Sequence, residues 1–310
     1  MMRLGKRQQV ALGIGLIVSV VFFGWLVYNT DSNSLNADFT KFTDSKGRTV
    51  LVPKNPTRIV SMAPSVTEIL FAIHVDDRLV GVTNYCNYPV EAKNKTKVGG
   101  FTTPNLEVLV ALNPDLIIAA DSNDERINVL VNTGFPVVVI LAKNVDEIIT
   151  NIRQIGNLVN SSQTAAVLVD GLTTRMNAVL SITRTFEQDE KLKCYFEVWE
   201  TPKVAGGLSF IDDLIKKAGG INVFGNESYE YPVVTHEMVI SRNPDVIFVT
   251  AMGRFSYTTD IPDRPGYSAI NAVINSRIYN CTDDVFTRPG PRIIDALEGM
   301  ATQLYPALFS

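Results

Sequence analysis

The stretch NLEVLVALNPDLII at residues 105–118 returns in its essentials as THEMVISRNPDVIF at residues 235–248. Each copy sets a glutamate third, Glu107 and Glu237, and brings Asn-Pro-Asp in at 113–115 and 243–245, ahead of a short apolar run. The residue before a proline is pushed out of the helical region, and Asn and Asp favour turns by bonding to nearby backbone. Each copy therefore predicts a helix of about two turns, a turn at Asn-Pro-Asp, and a buried parallel strand. A chain that writes this unit twice predicts two related α/β halves.

The same rhythm extends outward. RIVSM (58–62), LVGVT (79–83), DLIIAA (115–120) and VVVIL (137–141) read as strands, with helical patterns near 65–74, 104–112, 124–133 and 145–159. Such alternation implies a parallel sheet covered on both faces. It resumes with the strand KCYFEVW (193–199), helices over 209–218 and 235–241, the strand DVIFVT (245–250) and a last helix near 292–304. Between the halves, Ala165, Leu168, Leu172, Met176, Val179 and Phe186 keep helical spacing. A helix over 161–186 spans roughly 40 Å and is a stiff connector, since flexible linkers are rich in Gly, Ser or Pro.

The expected fold class is α/β, with two similar lobes built on central parallel sheets, joined by one long helix, and a ligand cleft between them. Residues 1–30 form a membrane anchor or signal segment, 31–56 a lead-in, 57–160 the N-terminal lobe, 161–187 the connecting helix and 188–310 the C-terminal lobe. The lead-in reads as a hairpin turning at Ser45-Lys46-Gly47. With 310 residues there is material for two full cores.

Arg3, Lys6 and Arg7 precede an uncharged apolar run from Val10 to Tyr28, and roughly 20 such residues span a bilayer. The basic flank places that end in the cytoplasm and the rest of the chain outside. No small-residue cleavage site follows, so the expected state is an uncleaved anchor. The first cysteine is Cys86, too distant for lipid attachment after the apolar run. All 32 acidic residues lie beyond the anchor, which disfavours nucleic acid as a partner. Cys86, Cys194 and Cys281 are far apart, allowing at most one disulfide and no paired-cysteine metal site.

Enzyme signatures are scarce. The two histidines, His74 and His236, are too few for the usual metal site. GGLSF (206–210) lacks the second glycine of a nucleophile elbow, and no phosphate-cradling loop stands outside the anchor. PSVTEILFAI (64–73) reads as a helix start with a capping box, Ser65 as N-cap and Glu68 closing it. No catalytic residue, metal or cofactor is expected.

Aromatic residues gather instead at strand ends and loops: TNYCNYP (83–89), GGFTTP (99–104), YFEVWE (195–200), ESYEYP (227–232) and GRFSYTTDIPDRPGYS (253–268). Ligands of open α/β sheets bind beyond the carboxyl ends of the strands, so these segments would line a largely apolar cleft. Arg254, Arg264, Arg288 and Arg292 could supply polar fixings there, or equally be surface charges. A glutamate in a first helical turn gains roughly 0.3–1 kcal/mol from the helix dipole. Two at equivalent corners also suit docking onto a two-fold symmetric basic partner.

From RIVSMAPSVTEILFAI through DRLVGVTNYCNYPVEAKNKTKVGGFTTPNLEVLVALNPDLIIAA, and over roughly 57–305, the chain resembles the substrate-binding proteins of cobalamin and siderophore ABC importers, most closely the cobalamin-binding branch. The resemblance implies a monomer on the outer face of the cytoplasmic membrane. It would hold its cargo non-covalently between two lobes that close little, then deliver it to a permease dimer with ATPase subunits. It further implies that Glu107 and Glu237 pair with arginines of the permease. Tyr85, Phe101 and Tyr231 fall on its aromatic ligand contacts, Phe196 and Trp199 more loosely; from the loop reading, Arg254 and Arg288 are the polar ligand contacts expected beside them. The expected cargo is a corrinoid, cobalamin being transported rather than used as a cofactor. A ferric siderophore or haem receptor is the alternative of the same fold, and an extracellular enzyme or a sensor ectodomain the alternatives of another class.

Overall fold

A computed structural model describes residues 38–100, 102–199, 202–250 and 260–309. The N-terminal apolar segment, Phe101 and Arg254 lie outside the described residues.

The lead-in is a hairpin of β1 (Phe39–Thr43) and β2 (Thr49–Pro53), paired antiparallel. Asp44 shapes its turn: the buried carboxylate accepts the backbone N–H groups of Lys46 and Arg48, each at 3.0 Å, and that of Val139 at 3.2 Å. It also pairs with the Arg48 guanidinium at 2.5 Å. Burial alone would raise the Asp44 pKa, but the bonds from Arg48 and Val139 outweigh it and hold the pKa below its ordinary value.

The N-terminal lobe follows as β3 (Ile59–Ser61), α1 (Pro64–Ala72), β4 (Leu79–Val82), β5 (Thr96–Lys97), α2 (Leu106–Leu112), β6 (Leu116–Ala119), α3 (Asp124–Val131), β7 (Val137–Val139) and α4 (Val145–Leu158). Its strands are parallel in the order β5-β4-β3-β6-β7. The connector α5 (Ser162–Thr183) leads to β8 (Lys193–Trp199), β9 (Lys203–Val204), α6 (Phe210–Lys217), β10 (Ile221–Asn222), α7 (His236–Arg242), β11 (Val246–Thr250), α8 (Asn271–Ile274), β12 (Ile278–Cys281), α9 (Asp283–Phe286) and α10 (Ile293–Leu304). Here β10-β8-β11-β12 run parallel, and β9 adds antiparallel to β8. Every residue of β6 and β11 is buried, the mark of strands covered on both faces.

The doubled phrase folds the same way twice. Asn105 and Thr235 are the N-caps of α2 and α7, accepting from Val108 N–H and Met238 N–H. Both helices stop at an asparagine in the left-handed region, Asn113 at φ 43° and Asn243 at φ 42°, a conformation Asn tolerates better than most residues. Asp115 then accepts the N–H groups of Thr57 and Arg58 at 2.7 and 3.0 Å, and Asp245 that of Lys193 at 2.9 Å. In each lobe the aspartate ties the start of its own strand to the start of the neighbouring one.

One apolar core runs through both lobes. It includes Ile59, Leu70 and Leu116, passes through Ile152 of α4 and Leu172 and Met176 of α5, and continues to Phe196, Leu214 and Leu297. Two smaller cores lie apart from it, one in each lobe. Among the described residues α5 is the one helix long and apolar enough to cross a membrane, with mean hydropathy 1.2. Here it packs on α4 and α10, and its Arg175 pairs with Asp295 and Glu298 of α10.

The capping box expected at Ser65 does not form. Pro64 occupies the first helical turn, Ala63 is the N-cap, and no side chain caps the helix. A proline there has the right φ and no N–H to satisfy, so Glu68 is released for another partner. The three cysteines are buried and none forms a disulfide.

Candidate functional site

The carboxyl end of β8 opens onto a cavity of about 400 Å³ lined by Val198, Trp199, Lys203, Ile211, Tyr231 and Thr287. All six come from the C-terminal half of the chain. Trp199 closes β8 and is 39% exposed, and Tyr231 sits half-buried in the loop ahead of α7. Burial, reinforced by the charge of Glu230, pushes the Tyr231 hydroxyl pKa well up, so it stays a neutral phenol. Sequence reading singled out both aromatics, and the structure brings them to one cavity.

Phe196 is placed differently. It is wholly buried, stacked on Phe248 at 6.3 Å and tilted against Phe286 at the same distance. Because β8 is covered on both faces, this side chain belongs to the core and not to the cleft wall. Tyr85, by contrast, follows the carboxyl end of β4 and is 55% exposed, at the boundary where the two lobes meet.

The arginines are engaged by partners within the protein. Both terminal nitrogens of Arg288 are engaged: Nη1 donates to Glu68 and Asn87 at 3.1 and 2.8 Å, and Nη2 to the Tyr85 carbonyl at 3.2 Å and Asp284 at 2.5 Å. These bonds make it a tie between the two lobes. Arg292 takes Glu68 with two bonds, at 2.9 and 2.7 Å. Arg264 does the same to Glu197 at 2.6 and 2.7 Å.

Glu197 is wholly buried on β8, and Tyr195 donates to it at 2.5 Å. The network continues as Arg264 lies 5.5 Å over the Tyr267 ring, and Tyr267 bonds His236 at 2.9 Å. A buried carboxylate near a cleft can signal catalysis, but Arg264 and Tyr195 occupy this one. Among the described residues no group of His, Cys, Asp or Glu could hold a metal ion.

Glu107 and Glu237 are both exposed in the first turns of α2 and α7. Bonds from its own backbone N–H and the Thr235 hydroxyl hold the Glu237 pKa below the usual range, with His236 adding to them. Exposed Leu106 and Val110 flank Glu107 on its helix, and exposed Val233 precedes α7.

Two α/β lobes on one long helix, with an aromatic cavity beyond the strand ends, describe a solute receptor. The chain's residues 59–285 match the periplasmic binding protein family, and the chain belongs to that family as an ABC transporter substrate-binding protein. The uncharacterized ABC transporter substrate-binding lipoprotein YvrC of Bacillus subtilis strain 168 is 30% identical over 273 residues, 86% of this chain and 85% of that one. The crystal structure of the periplasmic vitamin B12 binding protein BtuF of Vibrio cholerae matches with TM-score 0.71 at 26% identity, over 83% of this chain and 100% of that one. A possible iron-binding periplasmic solute-binding protein of Staphylococcus epidermidis matches with TM-score 0.69 at 30% identity, over 81% of this chain and all of its own.

Proposed function

We propose that this protein captures a corrinoid in the cleft walled by Tyr85, Trp199 and Tyr231, and passes it to an ABC permease dimer that Glu107 and Glu237 engage. It would work as a monomer held at the outer face of the cytoplasmic membrane by residues 10–28. The observation that carries the ligand class is the commitment of Arg264, Arg288 and Arg292 to buried carboxylates. Carboxylate-bearing ligands favour uncommitted arginines, whereas a corrin ring with amide arms suits aromatic walls and neutral hydrogen bonds. The cavity at Trp199 is smaller than a corrinoid, so the ring would extend into the open cleft toward Tyr85. Likeness to the vitamin B12 binding protein supports the same reading.

An iron chelate is the second reading. It is favoured by Lys203 at the cavity and by the likeness to a possible iron-binding protein. Calorimetric titration of the purified protein with cyanocobalamin, a ferric hydroxamate siderophore and haemin separates them. One-to-one heat from the corrinoid alone is the expected result, and heat from an iron ligand alone would replace it with the second reading.

A further inference from the structure

We propose that Glu68, Arg288 and Arg292 form a clasp between the lobes that positions residues 83–88, so that Tyr85 is presented to the cleft by side chains that do not touch the ligand. This rests on the reading of Tyr85 as a ligand wall. Glu68 lies in α1 of the N-terminal lobe with its side chain 2% exposed, and both arginines reach it from the far lobe.

The arginines frame Arg288-Pro289-Gly290-Pro291-Arg292. The two proline rings fix their own φ angles, which stiffens the loop and spaces the two guanidinium groups. Gly290 sits against the first turn of α1, where a side chain would touch Ser65 and Glu68. Two cations thus converge on one buried carboxylate, an arrangement in which losing one partner is costly.

The same groups grip the segment that carries Tyr85. Arg288 holds the Tyr85 carbonyl and Asn87, Asp284 accepts from Asn87 at 2.8 Å, and the Arg292 guanidinium lies 3.9 Å over the Tyr88 ring. From below, Cys86 Sγ is 3.1 Å from the hydroxyls of Thr67 and Thr83, and Asn84 N–H donates to Gly99. The backbone is held from both lobes while the Tyr85 ring remains exposed. Such support sets a binding side chain before the ligand arrives.

The test compares wild type with Arg288→Gln, and with Asn87→Ala as a milder change that leaves Glu68 paired with both arginines. Amide hydrogen exchange across residues 83–88 of the unliganded protein should quicken about tenfold in both, with exchange in α4 unchanged. Cyanocobalamin affinity should fall about tenfold in Arg288→Gln but fall no further when Tyr85→Ala is already present. Unchanged exchange in both variants, or an equal affinity loss with and without Tyr85, overturns the clasp. If wild type binds no cyanocobalamin, the corrinoid reading falls, and the exchange measurement alone decides the clasp.

Discussion

Arg264 embraces both carboxylate oxygens of Glu197, and the carboxylate is wholly buried. Removing one partner of such a pair leaves a charge with neither water nor counterion. Arg264→Ala should therefore cost about 3–5 kcal/mol of stability. Glu197→Gln with Arg264→Met should recover much of it, because the charges leave together. Chemical denaturation of the single and double variants checks this, and a double variant as weak as Arg264→Ala would refute it.

Glu107→Ala combined with Glu237→Ala should abolish uptake in cells and leave cyanocobalamin affinity unchanged. Both residues sit in exposed first turns, and neither lines the cavity at Trp199. Transport assays and calorimetry on the same variant provide the readout. A fall in affinity would move the glutamates into the cleft.

Trp199→Ala and Tyr231→Ala should each weaken corrinoid binding by about 1–1.5 kcal/mol through lost stacking. Phe196→Ala should behave otherwise, costing about 3–5 kcal/mol of stability as a core truncation while the folded fraction still binds. Titration beside thermal melting distinguishes the two classes.

Asp44 gives the fold an acid-sensitive contact. Its folded pKa lies below the ordinary 3.8, so its contribution is complete above that value and is lost as pH falls through the folded pKa. The stability gap between wild type and Asp44→Asn should be constant near neutrality and narrow below pH 3.8. Denaturation curves across that range measure it; a gap that widened on acidification would reverse the sign.

The sequence made the long elements legible because their signals are local. The buried strands β6 and β11 are continuous apolar runs, α5 shows helical spacing, and the Asn-Pro-Asp turns announce themselves twice. The strands β5, β9, β10 and β12 are two to four residues long and exist only because neighbours pair with them. Glu68 was misread for a related reason. Its nearest local explanation was a cap, whereas its partner Arg288 lies 220 positions away. A signal was present: Glu68 is the one charged residue in PSVTEILFAI, and a carboxylate in a run that folds inward, as Ser65–Leu70 does, needs a cation. Likewise an arginine's letter does not tell whether its donors are taken, so Arg264, Arg288 and Arg292 could be assigned only once Glu197 and Glu68 were seen beside them.

The apolar core that passes through α4 and α5 joins what the doubled phrase would divide. Halves with separate interiors could melt one after the other and leave a survivor, but these share Ile152, Leu172 and Met176 at their junction. Heat should therefore dismantle the receptor in a single cooperative transition. A protease that opens one half would find the other already losing its shape.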